Sequence, residues 1–80
     1  MSKVTLYTRR GCHLCDVAKQ AIDSARRRRE FDYEELDIDS DPQLRERYNE
    51  EVPVIAIDGA KAFKYRVTAD ELVERLRRRS

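Results

Sequence analysis

The apolar positions of the chain fall into runs and periodic stretches that predict alternating strands and helices. Residues 3–8 combine β-branched and aromatic side chains, which favours a strand. A helix over about 13–28 follows, because its apolar residues recur at intervals of three and four. Its expected core face consists of Leu14, Val17, Ala18, Ala21, Ile22 and Ala25. Asp16 near the start and the arginines of 26–29 at the end suit the helix dipole.

A second strand and a short helix are predicted next. The apolar residues of 31–38 change from one face to the other, which predicts either a bulge or a late strand start. The acidic residues of this stretch favour a position at the edge of the sheet. Asp41 offers an N-cap and Pro42 a first helical residue, so a helix of about eight residues should begin there.

The following stretch predicts a β-hairpin. Residues 52–57 are almost continuously apolar, which suits a strand covered on both faces. Asp58-Gly59 is a strong signal for a two-residue turn. The returning strand would span 61–65 and lie at the sheet edge because of its lysines.

A last helix completes the chain. Thr68 and Glu71 form a capping box, and Val67 before it can pack on Leu72 as a hydrophobic staple. The element order is therefore β-α-β-α-β-β-α. Since β-α-β crossovers are right-handed, the first two strands should be parallel neighbours. The expected architecture is α/β, a single domain over 1–80, with a four-stranded mixed sheet and helices on both faces.

Composition and charge limit the function. Charged residues make up 41% of the chain, yet the formal net charge is only +1, which disfavours a nucleic-acid partner. The arginine runs 26–29 and 77–79 each close a helix, so we interpret them as solvated helix ends. No apolar run approaches the roughly 18 residues of a membrane span. Met1-Ser2-Lys3 runs directly into the first strand without the pattern of a signal peptide, so we do not expect export. We expect a monomeric, cytoplasmic protein without a membrane partner.

The two cysteines stand three residues apart, as Cys12-His13-Leu14-Cys15, between the first strand and the first helix. In a reducing compartment such a pair is seldom a structural disulfide, so it is either redox-active or metal-binding. Cys12 would stand at the helix N-terminus, where free N–H groups and the dipole favour a thiolate with a pKa of roughly 4–7. We therefore expect Cys12 as the nucleophile and Cys15 as the resolving thiol, with Arg10 and His13 tuning the thiolate.

Four short segments connect the chain with a known family. They are Leu6-Tyr7-Thr8-Arg9 before the cysteine pair, Asp37-Ile38-Asp39, Val52-Pro53, and Ile57-Asp58-Gly59. With these segments around its C-x-x-C, the chain resembles the glutaredoxin branch of the thioredoxin superfamily. The C-x-L-C form is similar to that of small bacterial glutaredoxin-like proteins.

The resemblance implies the thioredoxin/glutaredoxin fold and a thiol–disulfide oxidoreductase that reduces protein or small-molecule disulfides. It implies that Pro53 is cis, and that Val52 pairs through its main chain with an extended substrate, as an added strand would. Arg9 aligns with the basic residue of glutathione-using relatives, and its role would be to stabilise the thiolate or a substrate carboxylate. A solvated loop charge is the alternative for Arg9.

The glutathione site of the family does not transfer to this chain. Relatives that use glutathione carry a threonine before Val-Pro, where Glu51 stands here, and a diglycine after the hairpin, where this chain has Lys64-Tyr65-Arg66. Side chains at those positions prevent the close main-chain approach that a diglycine allows. We expect no tightly bound cofactor. The reductant would be glutathione or a thioredoxin-reductase-like enzyme.

Two other functions compete with this interpretation. A metal or iron–sulfur site would need ligands beyond Cys12, Cys15 and His13, because a closed zinc site takes four. A non-enzymatic binding module would keep the dithiol as a vestige, with a thiol pKa near the ordinary value of about 8.5.

Overall fold

Strands and helices alternate along the chain in the predicted order. The computed structural model describes residues 2–79. The strands are β1 (Lys3–Thr8), β2 (Asp32–Asp37), β3 (Val54–Ile57) and β4 (Ala60–Lys64), and the helices are α1 (His13–Arg28), α2 (Pro42–Tyr48) and α3 (Ala69–Arg79). A short 3-10 turn, Ile38–Ser40, precedes α2.

The four strands form one mixed sheet in the order β2-β1-β3-β4. β1 and β2 are parallel, as a crossover through α1 requires, and β3 is antiparallel to both of its neighbours. Both strands predicted at an edge, β2 and β4, lie there. Tyr7 of β1 pairs with Val54 of β3. The residues that follow β1 and those that precede β3 therefore meet at one end of the sheet.

Helices cover both faces of the sheet, as predicted. Val4 and Leu6 of β1 belong to a large buried cluster with residues of α1 and α3. Tyr7, the next residue along, packs in a smaller cluster with Tyr48 of α2 and with Val54. Because successive strand residues point to opposite faces, α1 and α3 lie on one face and α2 on the other.

The helix α1 has its predicted bounds, and Ala18, Ile22 and Ala25 lie on its core face as predicted. Its buried residues are Cys15, Ala18, Ile22 and Ala25. The prediction that Val17 faces the core is wrong, since its side chain is 42% exposed. The row of side chains that begins at Cys15 packs on the sheet. The adjacent row, with Leu14 and Val17, faces residues 65–68.

The second strand is shorter than predicted and contains no bulge. It spans Asp32–Asp37, and its register with β1 runs without a shift. Phe31 and Ile38 flank it, and each is buried in a different cluster. The apolar residues of 31–38 change face because helices cover both faces of the sheet, so that Phe31 and Ile38 are buried on opposite sides. The strand begins at residue 32, one residue later than predicted.

The hairpin lies where it was predicted, although both of its strands are displaced. β3 begins at Val54 instead of at residue 52, and β4 spans Ala60–Lys64 instead of 61–65. Asp58 and Gly59 have φ angles of 52° and 86°. Two positive angles are those of a type I′ turn, which matches the twist of paired strands.

Local hydrogen bonds define the helix starts as the sequence indicates. Glu71 N–H donates to Thr68 Oγ1 at 3.1 Å, and Thr68 N–H donates to a Glu71 carboxylate oxygen at 3.0 Å, so the capping box is confirmed. At the start of α2, the N–H of Gln43 donates to Asp41 Oδ1 at 2.9 Å. These caps satisfy N–H groups that a helix leaves unpaired.

Most arginines described at the ends of α1 and α3 are exposed, namely Arg26, Arg27, Arg28, Arg77 and Arg78, and several pair with carboxylates. Arg28 of α1 forms an ion pair with Asp70 of α3. Arg77 and Arg78 each approach Glu74 at 3.6 Å. Within residues 2–79, no helix has the length and apolar character needed to cross a membrane.

Candidate active site

Cys12 is the N-cap of α1, and its sulfur serves as the capping acceptor. The main chain of Cys12 is extended, with φ −94° and ψ 108°, and the N–H of Cys15 donates to Cys12 Sγ at 3.1 Å. The N–H of Asp16 donates to the Cys12 carbonyl at 3.2 Å. A thiolate at this position would accept a hydrogen bond and lie at the positive end of the helix dipole, and both effects lower a thiol pKa.

The two cysteines form a disulfide in the structure, with their Cα atoms 5.2 Å apart. That separation lies inside the range in which a disulfide forms without backbone movement. Cys12 is partly exposed, whereas Cys15 is fully buried. An external disulfide can therefore reach Cys12, and Cys15 can attack only from within the chain.

The loop between β1 and α1 turns at Gly11, which has a φ of +72°. A side chain there would meet no atom within 4 Å, so the positive φ, not lack of space, favours glycine. Arg10 and His13 lie on either side of the turn and the cap, and both are exposed. Their predicted tuning of the thiolate stays a prediction.

Arg9 is held by two residues that sequence reasoning did not single out as site residues. Its Nε and Nη2 donate to the two carboxylate oxygens of Asp39, each at 3.0 Å. Its Nη1 donates to the carbonyl of Asn49 at 3.1 Å, and Nη2 also donates to Asn49 Oδ1 at 2.6 Å. The guanidinium lowers the pKa of Asp39, chiefly through these hydrogen bonds. Arg9 thereby joins the dithiol loop to the turn before α2 and to the end of α2.

The bond between Val52 and Pro53 is cis, as the resemblance implied. Pro53 is buried, and its carbonyl accepts a hydrogen bond from the N–H of Tyr65 at 2.8 Å. Since Tyr7 pairs with Val54, this loop and the dithiol loop emerge from the same end of the sheet. The substrate-binding roles predicted for Arg9, Val52 and Pro53 stay predictions.

The comparison with known families agrees with this geometry. The sequence profile of the family described as Glutaredoxin-like domain (DUF836) matches residues 3–77. The chain belongs to this glutaredoxin-like family.

Individual proteins are similar to the chain in sequence or in fold. The Glutaredoxin-like protein YDR286C homolog of Dictyostelium discoideum is 35% identical over 75 residues, which are 86% of this chain and 69% of that protein. The X-ray structure of protein XcR50 from X. campestris is similar with a TM-score of 0.79 at 32% identity, over 94% of this chain and 96% of that one. Thioredoxin-2 of a malaria parasite has a TM-score of 0.78 at 13% identity, over 98% and 82% of the two chains, which shows the shared fold.

The segment Lys64-Tyr65-Arg66 of this glutaredoxin-like chain contains a residue in a left-handed conformation. Tyr65 has a φ of +69°, in the left-handed region that favours glycine. Besides the bond of its N–H to Pro53, its hydroxyl donates to the carbonyl of Glu50 at 3.1 Å. Tyr65 therefore ties the end of β4 to the loop that contains the cis-proline.

Glu51, which replaces the threonine of glutathione-using glutaredoxins, makes ion pairs across the hairpin. Its carboxylate approaches Lys61 Nζ at 2.6 Å and Lys64 Nζ at 4.0 Å. The hydrogen bond from Lys61 is the main cause that lowers the pKa of Glu51. Nothing in the local sequence pattern indicated these pairs, since the lysines enter from the neighbouring strand.

A cavity of about 500 Å³ lies directly beside the dithiol of this glutaredoxin-like domain. Its walls come from the first turns of α1 and from the segment that joins β4 to α3. In residues 2–79, no cluster of three or more His, Cys, Asp or Glu side chains is arranged to hold a metal ion.

Proposed function

We propose that this protein is a thiol–disulfide oxidoreductase that reduces protein or small-molecule disulfides through Cys12 and Cys15. The observation that carries the proposal is the position of Cys12 Sγ. It caps α1, accepts the N–H of Cys15, and is bonded to the buried sulfur of the same residue. A helix-capping, partly exposed sulfur with a buried partner is the arrangement that exchange chemistry needs.

The reaction would proceed in two exchanges. The Cys12 thiolate attacks one sulfur of the substrate disulfide, a mixed disulfide forms, and the other substrate sulfur leaves as a thiolate that takes a proton from water. The Cys15 thiol then loses its proton, and its sulfur attacks Cys12 Sγ. This releases the second substrate thiol and leaves the Cys12–Cys15 disulfide. Two electrons have passed from the dithiol to the substrate.

The loop of Val52 and Pro53 would hold the substrate main chain next to Cys12. Among the described residues, none makes a hydrogen bond to the main chain of Val52. An extended substrate could therefore pair with its N–H and C=O as an added strand does.

Two observations favour a protein or dithiol reductant over glutathione. Tyr65 occupies the stretch where a diglycine would admit the glutathione main chain. Arg9 uses four hydrogen bonds on Asp39 and Asn49, so a glutathione carboxylate would have to compete for its donors. We propose a thioredoxin-reductase-like donor, with glutathione as the weaker alternative. Activity with glutathione and glutathione reductase equal to that with NADPH and a thioredoxin reductase would contradict this choice.

Insulin disulfide reduction with dithiothreitol as the electron source tests the main proposal. We expect Cys12→Ser to abolish the activity. When pre-reduced Cys15→Ser protein is mixed with insulin in the absence of dithiothreitol, a mixed disulfide should accumulate that mass spectrometry detects. A matched control places Cys at Ser24, an exposed residue further along α1, in the Cys12→Ser protein. If that thiol restores turnover, or if Cys12→Ser keeps full activity, the proposal is wrong.

We also propose that the protein works in the cytoplasm as a monomer, without a nucleic-acid or membrane partner. The support is the pairing of both cysteines within one C-x-x-C segment and the ion pairs that Arg28, Arg77 and Arg78 make with carboxylates. Sedimentation of the purified protein and its retention on a heparin column are the direct checks.

A further inference from the structure

The cavity beside the dithiol is lined by large hydrophobic side chains that are not buried in the core. We call it the Val17–Tyr65 pocket. It is lined by Leu14, Val17, Val67 and Tyr65, together with His13 and the charged side chains of Arg66 and Glu71. Within residues 2–79, the large hydrophobic residues classed as exposed are Val17, at 42%, and Tyr65, at 41%. Both line this one cavity.

The sequence pattern and the structure disagree at Val17, and the disagreement points to a binding role. Periodicity assigned Val17 to the core face of α1, yet the core uses the stripe of Cys15, Ala18 and Ile22. Exposure of a valine side chain to water does not stabilise the fold, because apolar surface is stabilised by burial. Places where a locally consistent sequence departs from its fold are typically functional sites.

Tyr65 leads to the same conclusion on independent grounds. A left-handed φ is unfavourable for a residue with a Cβ, and Tyr65 keeps it at +69°. The bonds of its N–H to the Pro53 carbonyl and of its hydroxyl to the Glu50 carbonyl hold it there. Its ring is thereby fixed as a wall of the pocket, next to the loop expected to hold the substrate main chain.

Arg66 and Glu71 are charged side chains that line the pocket. Arg66 is exposed, and among the described residues no carboxylate pairs with it. His13 lies at the opposite wall, directly after Cys12. Glu71 also lines the pocket, but its carboxylate already accepts the N–H of Thr68. An acidic group on the ligand could therefore pair with the guanidinium of Arg66.

We infer that the Val17–Tyr65 pocket binds a segment of a disulfide-bonded protein that carries an apolar side chain beside its cysteine and an acidic residue nearby. This inference rests on the proposed function, since bonding to Cys12 would bring the residues next to the substrate cysteine to His13 and Leu14. The volume of about 500 Å³ is in the range of small-ligand pockets, so an apolar side chain with adjoining main chain fits.

The test uses three oxidised, disulfide-linked peptides and the oxidised protein, so that no exchange occurs during binding. The first peptide has Leu beside its cysteine and Asp two residues away, the second replaces the Leu by Ser, and the third replaces the Asp by Lys. Affinities come from main-chain amide shifts of the protein in NMR titrations. We expect the Leu peptide to bind about tenfold more tightly than the Ser peptide, with shifts centred on Val17 and Val67.

Variants locate the preference. Val17→Glu should reduce the Leu-to-Ser affinity ratio to about one, whereas the matched control Gln20→Glu, exposed on α1 outside the pocket, should keep it. Arg66→Glu should weaken the Asp peptide about threefold and strengthen the Lys peptide by a similar factor. A ratio that survives in Val17→Glu would overturn the inference.

Other occupants of the pocket give different results. The inference is overturned if the protein binds the Leu and Ser peptides with equal affinity, or if it binds glutathione disulfide as tightly as the Leu peptide. Shifts at the same amides that depend on protein concentration alone would identify a second copy of the chain and also overturn it. Reduction of these peptides is measured separately. If the protein reduces the peptides but shows no binding preference, the inference is wrong and the oxidoreductase proposal stands. If it shows the binding preference but reduces none of the peptides, the oxidoreductase proposal is wrong and the binding preference stands.

Discussion

Arg9 and Asp39 form a two-point ion pair between the dithiol loop and the turn before α2, with both N···O distances at 3.0 Å. Paired contacts between a guanidinium and a carboxylate are stronger and more directional than single ones. We therefore expect Asp39→Asn to lower the urea midpoint of unfolding at pH 7. Glu46→Gln, an exposed change on α2, is the control and should leave the midpoint almost unchanged.

The same pair predicts a dependence on pH. Folding lowers the pKa of Asp39 from its ordinary value of 3.8, mainly through the hydrogen bonds of Arg9. A lowered pKa stabilises the folded state above the unfolded-state value, and the contribution disappears as the pH falls through the folded-state value. The difference in midpoint between the native protein and Asp39→Asn should thus be complete at pH 6 and shrink below about pH 4. A constant difference down to pH 2 would show that the charge is irrelevant.

Thr8 is the target of a stabilising substitution. Its Oγ1 is buried, and among the described residues it has no hydrogen-bond partner. Valine has nearly the same shape without the hydroxyl, so Thr8→Val should raise the free energy of unfolding by about 1 kcal/mol. Urea denaturation followed by circular dichroism measures it.

Thr68→Val provides the opposite case for the same chemical change. The hydroxyl of Thr68 accepts the N–H of Glu71 in the capping box. Removing this acceptor should cost about 1 kcal/mol. Losses of equal size at Thr8 and Thr68 would mean that the Thr8 hydroxyl has a partner after all.

The stability lost when Gly11 is substituted should depend only on how readily the new residue adopts a positive φ. Its φ is +72°, and no atom lies within 4 Å of the space that a Cβ would fill. Gly11→Ala should destabilise the protein by about 1–2 kcal/mol, and Gly11→Asn by less, because asparagine adopts left-handed angles more readily. Equal losses for the two variants in urea denaturation would indicate a packing cause instead.

Tyr33 should keep its proton at unusually high pH. Burial, followed by the hydrogen bond from its hydroxyl to Glu35, raises its pKa well above the ordinary 10.0. Its contribution to stability is present below pH 10 and decreases as the pH rises towards the folded-state value. The absorbance change at about 295 nm near pH 10 should therefore be the same in the native protein and in Tyr33→Phe. The stability of the native protein should fall faster in alkali than that of Tyr33→Phe.

Local sequence signals determined most of the fold. The helical spacing after Cys12, the turn at Asp58-Gly59 and the capping box at Thr68 each involve residues within a few positions, so a single sequence reveals them. The cis bond at Pro53 was predicted from the family resemblance, because local physics favours a trans bond, and the structure confirms it.

Contacts distant in sequence were not predictable in the same way. The partners of Arg9 lie 30 and 40 residues away, and their meeting depends on how the turn before α2 packs against the dithiol loop. The exposure of Val17 depends on which of two adjacent stripes of α1 the sheet meets, and periodicity alone does not distinguish them. The left-handed angle of Tyr65 has no local signal, since the residue is not glycine.

The sulfur of Cys12 also has a structural role, because it accepts the hydrogen bond that caps the first turn of α1. Inactivating substitutions at this position are therefore not equivalent. Serine keeps an acceptor for the N–H of Cys15, whereas alanine removes chemistry and cap together. An alanine variant would confuse lost reactivity with a frayed helix. Any evolutionary loss of the thiol that preserved the domain would thus be expected to pass through serine, aspartate, asparagine or threonine.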